Sequence, residues 1–348
     1  MRQIAFLACF TALAAQHIDV TRTEYVIECD SFSNPIPTLN NSCSLYGDQQ
    51  AWGRILNRPL PSWYADMKFG IFVHWGVYSV PSYGSEWFWH NYNCGDQQVK
   101  AFADRVYPHV GADYPQYAAM FRAELYNATE WVLAFKAAGA QYVLPVAKHH
   151  DGFAMWDASD TSPFWNAAQV GPKRDVLTEL YDAALANGLD FGIYYSQGEW
   201  FDANFVADYR SNFVNRSFIE AKVIPQRLDL VRRFPKAMLW HTDGGWMAPD
   251  SYWNNLDWLT FLYDESPLAS RVVSCNSMGV GCCQHVGSGE QGSVCWEYGD
   301  APSGGDRTTA GAVTSHFYTN QMTIQRGSWY VPPIEPLRML CQAAPESL

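Results

Sequence analysis

Asp243 closes the run AMLWHTDGGW over residues 237–246, with Gly244 and Gly245 after it and Trp240 and Trp246 on either side. A carboxylate one step past an apolar strand, beside glycines that admit a ligand to the backbone, suits charge stabilisation or nucleophilic attack. Residues 242–245 also read as a plain turn, for which Asp-Gly is ideal. A second run, QYVLPVAKHHDGF over residues 141–153, ends in Lys148, His149, His150, Asp151 and Gly152, and Asp151 carries the same two readings. The run FGIFVHWG (69–76) ends in His74, and LDFGIYYSQGEW (189–200) carries Tyr194. Imidazole and phenol groups exchange hydrogen bonds with hydroxyl-rich ligands. Cleaving a glycosidic bond needs two carboxyl groups, one protonated and one ionised. Asp243 is the candidate for the ionised one. His149 and His150 are neighbours, so on a strand they point to opposite faces, one into the site and one supporting it from behind. That placement argues against the two sharing a metal.

These residues need elements to aim them. Residues 69–73 read as a strand. A helix follows from a cap at Asn127 or Thr129 to Gly139, then a strand over 141–147 in which Pro145 predicts a bulge. A helix over 175–187 leads through Gly188 into a strand over 189–195. Helical segments around Pro225, a strand over 237–240, a helix over 252–263 and a short strand over 271–275 continue the alternation, with 294–298 as a sixth strand. Alternation of this kind builds a parallel sheet covered by helices, either a barrel or an open doubly wound sheet. HWGVYS after the first strand is not a nucleotide-binding GxGxxG, and strand tips loaded with aromatics and acids favour the barrel. After Gly299 no further repeat is visible, so the expected fold is α/β, a (β/α)8-type TIM barrel incomplete at its C-terminal end. The connection over 77–94 carries Ser85-Glu86-Trp87-Phe88-Trp89-His90, which reads either as a ligand-binding loop or as an apolar plug over the sheet.

Bulk composition narrows the classes. With 348 residues, 48% hydrophobic and 17% charged, the chain can bury a large core, and a net charge of −12 argues against nucleic acid or anionic membrane as partners. An aromatic content of 16% exceeds what a core alone requires and suits stacking on sugar rings. Arg2, an apolar run over 4–10 and small residues at 12–15 predict a signal peptide over 1–15, hence a secreted or lysosomal protein. Sequons at Asn40, Asn127 and Asn215 agree with export. Of the 9 cysteines, Cys9 leaves with the signal; Cys29 and Cys43 form a candidate disulfide, as do members of Cys275, Cys282, Cys283 and Cys295. A zinc site built from those four with His285 is disfavoured by their irregular spacing. Residues 16–60 then form an N-terminal extension, 61–300 the barrel and 301–348 an irregular tail.

Several long stretches together resemble glycoside hydrolase family 29, the α-L-fucosidases: KFGIFVHWGVYSVPSYGSEWF from Lys68, FRAELYNATEWVLAFKAAGAQYV from Phe121, KHHDGF from Lys148, DFGIYYSQGEWF from Asp190 and LDLVRRFPKAMLWHTDGGW from Leu228. The resemblance implies a (β/α) barrel, retaining hydrolysis of terminal α-L-fucose from glycans, and no metal or organic cofactor. It implies that Asp243 is the nucleophile, and that His74, Glu86, Trp87, His149, His150 and Tyr194 hold the sugar hydroxyls and its C5 methyl face. Trp296-Glu297 resembles one family version of the acid/base, which makes Glu297 the candidate and Glu290 its runner-up.

The chain departs from the family in three places. Trp-His-Thr-Asp at 240–243 carries one residue more than the usual Trp-x-Asp, which predicts a displaced Asp243. Asn276, Ser277 and Met278 stand where an arginine is usual, and the final strands and a C-terminal sandwich are not visible. The rival readings are a catalytically impaired fucose-binding relative and a barrel glycosidase for another sugar. Oligomeric state is not legible.

Overall fold

The structure is a computed structural model and describes residues 49–275, with 57, 60 and 250 left out, together with 303–306 and 319–321. The predicted signal peptide, Glu290, Glu297, the 294–298 strand, His285 and most of the cysteines lie outside the described residues.

Helix α1 (Gln49–Leu56) falls inside the stretch read as an extension. Ala51 and Ile55, four residues apart and therefore on one face, are buried in the main core. The short helix α2 (Trp63–Asp66) leads into strand β1 (Gly70–Val73). The aromatic connection after it is largely helical: α3 spans Phe88–Asn93, α4 spans Gln97–Val106 behind an Asp96 cap, and α5 spans Tyr114–Met120. Helix α6 (Ala128–Ala137) starts where Asn127 Oδ1 accepts from the backbone of Thr129 and Glu130, and it leads to β2 (Tyr142–Lys148). Such a cap is worth about 1 kcal/mol.

Helix α7 (Val176–Ala186) leads to β3 (Asp190–Ser196), and α8 (Ala203–Arg210) follows. A π turn over Ile219–Val223 runs into α9 (Ile224–Arg233), and Pro225, which has no N–H to give the helix, sits directly after that irregular turn. Strand β4 is Leu239–Asp243. Helix α10 (Asn255–Thr260) starts later than the pattern predicts, because Asn254 adopts a left-handed conformation before it. Strand β5 is Val273–Cys275.

The five strands form one parallel sheet in the order β1-β2-β3-β4-β5, each beside its chain neighbour, as right-handed βαβ units place them. A separate parallel pair, β6 (Ser303–Asp306) and β7 (Thr319–Gln321), lies within the stretch read as an irregular tail. The expected irregularity in β2 is found one residue past Pro145. Between Val146 and Lys148 two residues of β2 oppose one of β3, while Pro145 itself pairs in register with Val73.

Alternation divides the sheet cleanly. Val143, Ala147, Phe191, Ile193, Tyr195 and Trp240 pack under the helices. Leu144, Val146, Tyr194 and Leu239 turn to the other face, with Phe72 packed against them. Among the described residues no helix is long and apolar enough to cross a membrane.

Candidate functional site

The second face of the sheet carries the chemistry at its C-terminal end. On β4, Leu239, His241 and Asp243 share that face by the strand's period of two, and Trp240 turns outward to lie 4.8 Å from Trp258. With the extra residue in Trp-His-Thr-Asp, Trp240 and Asp243 lie on opposite faces of β4. Register with β3 holds to the last pair, Ser196 with Asp243, and His241 occupies the inner position two residues earlier.

Asp243 is held by two donors, with His150 close by. The Tyr194 hydroxyl donates to Oδ2, the Gly244 amide donates to Oδ1 at 2.8 Å, and His150 Nε2 lies 3.7 Å from Oδ2. The carboxylate side chain keeps 21% exposure, so a ligand can reach it. Tyr194 is buried, and burial with the nearby Asp243 charge holds its phenol well above the usual value, so it stays a donor. Gly244 adopts φ +73°, which is strained for any other residue.

Around this carboxylate stands a set of rings. His149 lies parallel to Tyr194 at 5.8 Å, 4.2 Å from His150 and 5.7 Å from His74. His241 stacks on the other side of Tyr194 at 5.3 Å and meets Phe72 at 5.6 Å. Burial depresses all four imidazoles: His74 to about 3 with help from His241, His241 to about 4, and His149 and His150 well below their usual value. At neutral pH each ring is uncharged, with one N–H and one bare nitrogen, which suits a neutral ligand rich in hydroxyls. His149 Nδ1 is buried with no partner among the described residues.

The expectation that His149 and His150 point to opposite faces is corrected. Strand β2 ends at Lys148, and both imidazoles leave it toward the site. The supporting role falls to Lys148, which turns behind the sheet. Its ammonium donates to Glu199 (2.7 Å), Gln226 (2.9 Å) and Tyr195 (3.1 Å), and burial lowers it to about 8 against the pull of Glu199. Lys222 ties Glu199 to Asp202. Asp151 is structural: its carboxylate accepts from the Tyr114 hydroxyl and the Phe153 amide, and burial raises it to about 7.

The 85–90 segment serves both purposes the sequence left open. Trp87 stands 5.4 Å from His150 and 5.0 Å from Trp200, facing the site. Phe88 and Trp89 turn the other way, onto Tyr117 and Tyr114. Glu86 is buried, and its charge reaches Tyr194. The structure thus brings His74, Glu86, Trp87, His149, His150, Tyr194 and Asp243 to one end of the sheet. His241, Ser196 and Trp200 join them without having been singled out, although the alternation Leu239, His241, Asp243 is legible on β4. Cys94, which had no proposed partner, is disulfide-bonded. No group of three or more His, Cys, Asp or Glu among the described residues is arranged to hold a metal ion.

A model of the family described as alpha-L-fucosidase matches residues 41–335, most of the chain. The chain belongs to the α-L-fucosidase family. It is 40% identical to the plasma alpha-L-fucosidase of Rattus norvegicus over 282 residues, covering 80% of this chain and 58% of that protein. Against the tissue alpha-L-fucosidase of the same species it is 41% identical over 239 residues, covering 68% and 51%. The alpha-fucosidase of Thermotoga maritima in complex with fucose superposes with a TM-score of 0.56 at 28% identity, covering 66% of this chain and 56% of that one. The chain spans a little over half the length of these relatives. Family membership and the parallel α/β sheet agree with the sequence reading.

Proposed function

We propose that the protein is a retaining exo-glycosidase that removes terminal α-L-fucose from glycans or glycoproteins. The observation that carries this reading is the Asp243 carboxylate, oriented by Tyr194 and the Gly244 amide and reachable from solvent, beside four neutral imidazoles. In this account Asp243 attacks C1 while Glu297, with Glu290 as runner-up, protonates the leaving oxygen. The same acid then activates the water that releases fucose with its configuration retained. His74, Glu86, Trp87, His149, His150 and Tyr194 hold the sugar, and no cofactor takes part. Family membership and a relative solved with fucose support the substrate class.

The five strands in chain order are read as part of a (β/α)8 barrel over 61–300, between a 16–60 extension and a 301–348 tail. The chain's plasma and tissue relatives, with the disulfide at Cys94, support a secreted or lysosomal protein with a signal peptide over 1–15.

The deciding experiment is hydrolysis of an aryl α-L-fucoside, with the anomer of the first product read by NMR. Wild type should release the α-anomer, and Asp243→Ala should lose about a thousandfold or more in kcat. Equal inertness of both, with similar fucose affinity, would leave the impaired fucose-binding reading in its place. Preference for another aryl glycoside would point to a different glycosidase.

A further inference from the structure

We propose that Ser196 is a positioning residue that fixes the proton of His150 on Nδ1 and presents a bare Nε2 beside the Asp243 carboxylate, an inference that rests on the glycosidase reading for its catalytic consequence. Ser196 is fully buried at the tip of β3. Its Oγ lies 2.7 Å from the Gly198 carbonyl oxygen and 2.6 Å from His150 Nδ1. The carbonyl has no proton to give, so the single hydroxyl proton of Ser196 must lie on the Gly198 side. Placing it on the His150 side would set two acceptor oxygens 2.7 Å apart with nothing between them. Ser196 therefore accepts, and Nδ1 carries the hydrogen. Counting donors assigns the tautomer.

The consequence falls on the other nitrogen. The buried ring is neutral, so Nε2 holds a lone pair, 3.7 Å from Asp243 Oδ2 and too far for a direct hydrogen bond. A ligand hydroxyl entering this gap can donate to Nε2. The opposite tautomer would leave a ligand hydroxyl donor in this gap with no acceptor on His150.

The surrounding backbone is shaped for this arrangement. A Cβ on Gly244 would come within 3.0 Å of Ser196 Oγ and 3.4 Å of His150 Nδ1. The Gln197 amide donates 2.8 Å to the Asp243 carbonyl, so the tips of β3 and β4 move together.

The test is 15N NMR of the full chain labelled at histidine, for wild type, Ser196→Ala and Ser196→Thr, with His150 identified by its loss in His150→Gln. The wild-type ring should read Nδ1-protonated and Nε2-bare at neutral pH. Ser196→Ala should shift the ring toward Nε2–H and lower kcat on an aryl α-L-fucoside about tenfold. Ser196→Thr, which keeps the hydroxyl, should retain the wild-type tautomer and recover most of the rate. A wild-type His150 protonated on Nε2 overturns the proposal, as does an unchanged tautomer in Ser196→Ala. If Ser196→Ala does not fold, the wild-type and Thr spectra decide. An inert wild type with Nδ1-protonated His150 sinks the fucosidase reading alone and supports the assignment to Ser196.

Discussion

The Tyr194 hydroxyl donates to Asp243 Oδ2 although the two residues are not register partners; Tyr194 pairs with His241, and Asp243 with Ser196. The bond crosses diagonally between β3 and β4, so it forms only while the two strands keep their stagger. A hydrogen bond to a charged group contributes about 1.5–3 kcal/mol. Tyr194→Phe keeps the buried ring and removes only this donor. It should lower kcat/KM on an aryl α-L-fucoside by about tenfold to a hundredfold and lower the melting temperature by about a few degrees. Steady-state kinetics beside a thermal melt would check both halves.

Gly244→Ala should be damaging for two separable reasons. The residue sits at φ +73°, and the new Cβ would meet Ser196 Oγ at 3.0 Å and the Gly198 amide nitrogen at 3.1 Å. Left-handed strain on a residue with a Cβ costs about 1–3 kcal/mol. The expected outcome is a lower denaturation midpoint together with at least a tenfold loss of rate, because the clash falls on the groups around the Asp243 carboxylate.

Lys148→Met tests the support behind the histidines. Lys148 and Glu199 are both buried, and removing one partner of such a pair costs about 3–5 kcal/mol. Lys222 still contacts Glu199, so the loss should fall at the lower end, about 3 kcal/mol. Urea denaturation of the variant should show it. A change below about 1 kcal/mol would mean that the pair does not hold the β2 tip.

Acid should weaken the fold through the buried imidazoles. Each has a folded pKa below its unfolded value of about 6.5, so the unfolded chain takes up protons that the folded chain refuses. Their stabilising share is therefore complete above about pH 6.5 and shrinks as pH falls toward 4. Asp151, raised to about 7, acts in the opposite sense over the same window, as one carboxyl against four imidazoles. His241→Asn removes one of the four, so its denaturation midpoint should fall less than that of wild type between pH 6.5 and 4. An identical slope in both proteins would count against the buried neutral state of His241.

Much of the architecture is legible in the amino-acid order because local signals agree with it. The Asn127 cap, the apolar strand over 141–147 and the glycines after α6 and α7 each mark their element at its observed place. What the order hides is the geometry at the strand tips. Alternation predicts opposite faces for His149 and His150, yet the bulge at the end of β2 turns Lys148 behind the sheet and frees both imidazoles for the site. Spacing counted along β4 from Leu239 gives the face of Asp243, which the spacing from Trp240 does not. Ser196 has no motif; its role is visible only in the distances around its hydroxyl. The 88–93 helix is obscured by its aromatic composition, since Phe88 and Trp89 bury onto Tyr117 and Tyr114 instead of following an amphipathic stripe.

Trapping the glycosyl-enzyme addresses the assignment of Asp243 most directly. In a fucosyl fluoride bearing fluorine at C2, that fluorine slows both steps through their oxocarbenium-like transition states, while the good fluoride leaving group at C1 restores the first step alone, so the intermediate accumulates. Intact mass should show one added 2-fluorofucosyl group, and peptide mapping should place it on Asp243. A label on any other residue, or none in a preparation that turns over an aryl α-L-fucoside, would contradict the account.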